Sequence, residues 1–194
     1  MSVQEWLDLF RRNRESKILR VQDLKILTGM KPPALRVALE RLAKRGIVQR
    51  VCRGYYANPF NPPSLEEISA FLYRPSCVSL ESALAWHGVL SQIPHTLTCV
   101  TPRLTWRLNT SFGRIEYRQI KKSYLFGLIP QEGYLLAEPE KALVDFLYLN
   151  RKADLHGFLS ELHLDLLRPK KLSSYARRMR VDITALRETV AIRR

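Results

Sequence analysis

An α+β fold in two parts is what this sequence predicts, and three observations predict it. Apolar residues recur at helical spacing from Val3 to Leu42. Segments with a period of two gather between Thr96 and Ala137, and a stretch dense in Pro and Asn separates the two regions. At 194 residues the chain is long enough to bury a core without covalent staples.

In the first region, Val3 to Asn13 reads as a short amphipathic helix with Trp6, Leu7, Leu9 and Phe10 as its apolar residues. A second helix runs from Val21 to Thr28, with Val21, Leu24 and Leu27 spaced to face one core and Gly29 to end it. Met30-Lys31 makes the turn. Pro32 and Pro33 then open a third helix, where the first-turn N–H groups have no internal partner to lose. Leu35, Ala38, Leu39 and Leu42 line its buried face, and Gly46 follows its last turn. Ile47 to Ala57 is rich in β-formers and predicts a two-stranded hairpin turning at Arg53-Gly54. Three helices and a basic hairpin make a winged helix-turn-helix, a DNA-binding outline. We place this domain at residues 1–58.

The outward face of the third helix carries Pro33, Val37, Glu40 and Lys44, flanked by Arg36 and Arg41. In a major groove, Arg36 is the candidate for a bidentate contact to guanine, Glu40 for a cytosine amino group and Val37 for a thymine methyl. Two plainer readings stand beside these: Arg36 on phosphate alone, and Glu40 paired with Lys44 on a solvated face. Lys31, Arg41, Lys44, Arg50 and Arg53 are candidate phosphate contacts, which orient a domain without reading sequence.

Asn58 to Ser64 holds turn formers that keep the chain extended, so residues 59–64 are expected to be a stiff linker and 65–194 the second domain. After a bridging helix from Leu65 to Leu72, a short helix is expected from Ser79 as N-cap to Gly88. Thr96 to Thr101, Arg114 to Ile120 and Tyr134 to Ala137 read as strands of a small, mostly antiparallel sheet. Asn109 to Gly113 and Pro130 to Gly133 read as turns. A helix opening at Pro139 follows the last strand, its acids Glu138 and Glu140 suited to the positive end of its dipole. Leu155 to Leu167, Leu172 to Met179 and Ile183 to Val190 are read as C-terminal helices of this mixed α/β domain.

The formal charge of +14 is unevenly spread. Residues 1–60 carry a net +8, residues 61–167 a net −1 and residues 168–194 a net +7. The first cluster suits a phosphate backbone. The second comprises Arg168, Lys170, Lys171, Arg177, Arg178, Arg180, Arg187, Arg193 and Arg194. It admits three readings: a second DNA contact, a dock for an acidic partner or its RNA, and a solvated helical face.

Cys52, Cys77 and Cys99 are odd in number and widely spaced, which implies no disulfide framework and fits a reduced, cytoplasmic protein. No apolar run is long enough to span a membrane, and the first residues do not read as a signal peptide. No phosphate-cradling glycine loop, dinucleotide fingerprint or nucleophile elbow is present. His87, His95, His156 and His163 lack metal-site spacing, and His87 on an apolar helix face is expected to be a hydrogen-bonded core residue. Glu116, Glu138, Glu140 and Asp145 are the candidate carboxylates for a nuclease centre, but Glu138 and Glu140 are better explained by the helix dipole. We expect no catalytic residues, no metal and no cofactor.

Four segments, taken together, resemble a known family. They are Arg53-Gly54-Tyr55-Tyr56; Pro75 to Leu84 with His87-Gly88; Phe112 to Arg118; and Ala137 to Asp145. In order and spacing they look like the AbiEi family, antitoxins of type IV toxin-antitoxin systems. The resemblance implies an N-terminal domain that represses its own operon by binding an inverted repeat in double-stranded DNA; since a single winged helix covers only a half-site, a second copy is expected to pair with it on the DNA. It also implies a C-terminal domain that counters a nucleotidyltransferase-like toxin in phage defence. The alternative is a stand-alone transcriptional regulator whose second domain docks or senses another partner.

Overall fold

The computed structural model describes residues 1–151, 153 and 155–184. The chain divides into two compact units. The first comprises Met1–Ile68 with Asn109–Gly113, and the second Ser69–Leu108 with Arg114–Arg194.

In the first unit, helix α1 (Val3–Arg12) starts at a reciprocal cap. The Glu5 N–H donates to Ser2 Oγ, and the Ser2 N–H donates back to the Glu5 carboxylate at 2.6 Å. Strand β1 (Ile18–Arg20) leads into α2 (Val21–Thr28), which ends at Gly29 in the left-handed region. Helix α3 (Pro32–Lys44) follows. It closes with the Ile47 N–H on Leu42 O and the Gly46 N–H on Ala43 O, the two bonds of a Schellman end that Gly46 at φ +69 makes possible. Strands β2 (Gln49–Cys52) and β3 (Tyr55–Ala57) form the expected hairpin, and β1 pairs with β3 to give a sheet of order β1-β3-β2.

Trp6, Phe10, Leu19, Leu24, Leu35, Leu39, Leu42, Val48 and Tyr56 make one buried cluster. Leu27 does not join it as expected: it is 48% exposed. Leu24 holds the centre of the short inner face of α2, and Leu27, about 60° round from it, falls outside.

Residues after β3 are fastened to this unit. Asn58 is fully buried and donates its amide to Phe10 O and Asn13 O, both at 3.0 Å, while its Oδ1 accepts from the Phe60 N–H. Helix α4 (Leu65–Leu72) opens with a second reciprocal cap, between Ser64 and Glu67, and Glu67 also binds Lys17. The boundary between the units falls inside α4.

The second unit is built on a sheet of order β6-β7-β5-β4-β9-β8. Its strands are β4 (Cys77–Val78), β5 (Thr96–Thr101), β6 (Trp106–Thr110), β7 (Gly113–Gln119), β8 (Leu128–Gln131) and β9 (Tyr134–Ala137). The sheet is mixed rather than mostly antiparallel. β4 runs antiparallel to β5, and β8 to β9, but β4–β9 and β5–β7 are parallel. The reason lies in the chain path: after β5 it crosses to the far edge to form β6, then turns back into the gap as β7.

Three strands were not anticipated. β4 is only two residues long, β6 follows an irregular loop, and β8 contains Pro130, which reads as a turn but is tolerated on an edge.

Helix α5 (Leu80–Trp86) packs on α6 (Pro139–Leu149), and α6 on α8 (Pro169–Met179). The helix expected over Leu155 to Leu167 is interrupted: α7 (His156–Ser160) is followed by a 3-10 turn at Leu164–Leu166. Between them Leu162 bridges to Leu90 and the His163 N–H donates to Val89 O, which diverts the backbone from helical bonding. The helix expected over Ile183 to Val190 lies largely outside the described residues. Among those described, no helix is long and apolar enough to cross a membrane.

Candidate nucleic-acid interface

Helix α3 separates its two faces cleanly. Leu35, Leu39 and Leu42 are buried, whereas Pro33, Arg36, Val37, Glu40, Arg41 and Lys44 are exposed. Lys31, the N-cap residue, is exposed as well. No side chain caps this end, and Pro32 and Pro33 have no N–H, so of the first three helical residues only Ala34 carries a backbone donor.

One ion pair crosses this face. Arg36 Nε donates to Glu40 Oε1 at 3.1 Å, with the two side chains 81% and 49% exposed. Glu40 thus reaches back one turn to Arg36 rather than forward to Lys44. Because Nε is the atom engaged, the terminal nitrogens of the Arg36 guanidinium remain available as a two-pronged donor.

The hairpin adds Arg50 and Arg53, both exposed. Arg50 Nε donates to Cys52 O at 3.3 Å, which holds it near the bulge between Arg50 and Cys52. Among the described residues, Lys31, Arg41, Lys44 and Arg53 have no ion-pair partner. Helix and hairpin converge at Tyr56. Burial raises its phenol above the ordinary range, Arg50 and Arg36 pull it back, and Glu40 opposes them, so all three charges lie within its field. Asn58 holds this arrangement together by tying the end of β3 to α1. Sequence reading missed it because an Asn beside Pro59 looks like turn chemistry.

The described cations of the second basic cluster differ in what they contact. Lys170, Arg177 and Arg180 are exposed and, among the described residues, have no ion-pair partner. Lys171 binds Glu138 at 2.8 Å, and Arg178 lies 3.7 Å over the Phe126 ring. These two contacts hold α8 in place. Tyr175 also donates to Glu138, and buried Glu140 accepts the Arg168 N–H at 2.9 Å, at the start of α8. Glu138 and Glu140 therefore bridge to α8 as well as facing the start of α6. Burial opposes ionisation of Glu138, yet the bonds from Lys171 and Tyr175 and the charges of Lys171 and Arg168 hold its carboxyl below the ordinary range. Tyr175 is pushed up to about 12 by burial and by Glu138. Arg187, Arg193 and Arg194 lie outside the described residues.

Of the remaining polar motif residues, Ser79, Lys141 and Asp145 are buried. Lys141 binds Asp145, both fully buried, and Ser79 Oγ donates to the second carboxylate oxygen at 2.7 Å. Burial pushes the Asp145 carboxyl up, with Lys141 and Ser79 pulling against it. His87 binds Ala137 O at 2.9 Å and His163 binds Ser91 at 2.8 Å. Glu116 pairs with Arg107 and Arg118. Among the described residues no three His, Cys, Asp or Glu side chains gather as metal ligands.

No curated protein matches the chain. Residues 7–59, which span α2, α3, the hairpin, Asn58 and most of α1, match a family described as "Transcriptional regulator, AbiEi antitoxin". Over that stretch, which holds the basic face of α3, this chain is similar to the AbiEi antitoxin regulators that its four motifs resemble.

Proposed function

We propose that the first unit is a winged helix-turn-helix that binds double-stranded DNA, with α3 as its reading helix and β2–β3 as its wing. The protein then acts as an AbiEi-type repressor of its own operon, bound as two copies on an inverted repeat. Its second unit counters a nucleotidyltransferase-like toxin encoded nearby.

The observation that carries the DNA reading is the face of α3. Its six outward residues are exposed, and two of them, Arg36 and Glu40, lie with Arg50 of the hairpin within the field of Tyr56. Arg36 supplies the forked donor for guanine, Val37 is an apolar contact for a thymine methyl, and Lys31, Arg41, Lys44, Arg50 and Arg53 neutralise phosphates.

The family match is confined to residues 7–59, which favours a second reading for the rest: a stand-alone regulator whose second unit docks another partner. Co-expression with the neighbouring toxin gene separates the two, since only the antitoxin restores growth.

The DNA reading is tested by a salt series of binding to the fragment upstream of its own gene, for the parent and for Arg36→Ala. The expected result is loss of preference over a scrambled fragment by about five- to a hundredfold, with nonspecific binding retained. Equal binding of every fragment by both proteins, with a steep salt slope alone, overturns sequence reading by α3.

A further inference from the structure

The second unit carries a surface that the duplex reading of α3 does not use. At its centre is Trp106, the first residue of β6, the outermost strand of the sheet. Its ring is stacked on buried Tyr117, with centroids 5.8 Å apart and planes 11° apart, and leans on Tyr73 at 5.1 Å. It nevertheless stays 39% exposed, and Leu104 beside it is 73% exposed. The Tyr73 hydroxyl donates to Leu104 O at 3.0 Å, so this loop is pinned and its apolar side chains are displayed rather than frayed.

Cations frame the ring. The Arg103 guanidinium lies 4.1 Å from the Tyr73 centroid and donates to Arg74 O at 3.2 Å, which holds it over the Tyr73 ring. Arg107, with its side chain 78% exposed, meets Glu116 at 3.1 Å, and Arg118 shares that same carboxylate at 3.9 Å. One acid therefore serves two arginines, while Arg74 and Arg103 have no carboxylate partner among the described residues.

A ligand that satisfies the whole surface must offer a planar apolar face and several anionic groups. A duplex hides its bases from such a ring. An acidic peptide answers the arginines but leaves Trp106 and Leu104 uncovered. Unpaired nucleotides offer both features. We propose that this surface binds single-stranded nucleic acid, with a base stacked on Trp106 and phosphates on Arg103 and Arg107.

The test is anisotropy of labelled oligouridine and oligodeoxyuridine of about a dozen nucleotides on the full-length protein. Trp106→Ala is expected to weaken binding about tenfold, and Trp106→Phe to restore most of it. Arg107→Ala, which leaves the ring stack untouched, should lower the salt slope by about 0.7. Arg41→Ala, whose side chain the α3 reading places on duplex phosphates, should weaken binding of these strands less than Trp106→Ala does. Preference for the RNA strand identifies the 2′-hydroxyl as part of the ligand, and equal binding identifies the shared base-and-phosphate chemistry; both support the proposal. Unchanged binding in Trp106→Ala and Arg107→Ala overturns it, as does loss in Arg41→Ala instead, which assigns the binding to α3. Competition by polyglutamate as effective as by oligonucleotide also overturns it, in favour of an acidic protein partner.

Discussion

The outward face of α3 and the interior beneath α6 handle charge in opposite ways. On α3, Arg41 and Lys44 stand in solvent, and Arg36 is engaged only through Nε. Beneath α6, Lys141, Asp145 and Glu140 are buried, and each is bound by another element or by its neighbour one turn away. An ion taken out of water costs several kcal/mol unless it is paired, so the inner charges are committed to the fold. The outer ones cost little to leave unpaired, which frees them for a partner. In the segment Ala137–Asp145, the side chains of Glu138, Glu140, Lys141 and Asp145 are all bound within the second unit.

Replacing one inner partner breaks this contrast hardest. Asp145→Ala strands Lys141 in the core and is expected to cost about 3–5 kcal/mol, read as a lowered midpoint in urea unfolding. The double change Lys141→Met with Asp145→Val should recover much of that loss, because no bare charge remains. A single variant with parental stability would show that the pair is solvated and the contrast wrong. Asn58→Ala comes next. It leaves Phe10 O and Asn13 O without their donor, for an expected loss of about 1–3 kcal/mol, whereas Arg36→Ala should leave the unfolding midpoint in place.

The sequence made the first unit legible because each signal there is local. Pro32-Pro33, the Leu35/Leu39/Leu42 spacing, Gly46 and the Arg53-Gly54 turn each act within a few residues, and α3 with its exposed face follows from them. Ile18–Arg20 escaped because three residues show no period, and its pairing to β3 depends on a return of the chain some forty residues later. In the second unit the strands Thr96–Thr101 and Tyr134–Ala137 were legible, but their neighbours were not. Periodicity marks a strand and says nothing of which strand lies beside it, so the parallel β5–β7 pairing was out of reach. The same limit hid the roles of Glu138 and Glu140, whose partners on or at the start of α8 lie 28 to 37 residues away.

Glu138 lies between the two regimes, being partly buried and partly solvated, and pH sharpens the comparison there. Its folded carboxyl titrates below the ordinary value of 4.5. The unfolded chain therefore binds more protons in acid, and the stabilisation is complete above that value and lost as pH falls through the folded one. Tyr175 has the opposite sign: its contribution is complete below its ordinary value of 10 and is lost as pH rises through about 12. Glu138→Gln should cost about 1 kcal/mol at neutral pH and flatten the acid limb of a stability-versus-pH curve. An unaltered acid limb would place the acid sensitivity of the second unit elsewhere.

The smallest expected effect is the most informative about α3. Glu40 holds Arg36 by Nε, an exposed pair at one-turn spacing worth about 0.2–0.5 kcal/mol. Its removal should barely move the unfolding midpoint. Two consequences for DNA follow from charge and geometry, and they differ in sign. Glu40→Ala removes an anion from the face we propose to meet phosphates, so nonspecific affinity should rise. It also releases the Arg36 guanidinium to sample more orientations, so the preference for the operator over a scrambled duplex should fall by about twofold. Glu40→Gln, which keeps an acceptor for Nε without the charge, separates the two by raising nonspecific affinity while retaining the preference. If both variants keep the full preference, Glu40 is an ordinary solvated partner, and Arg36 finds its orientation only on the DNA.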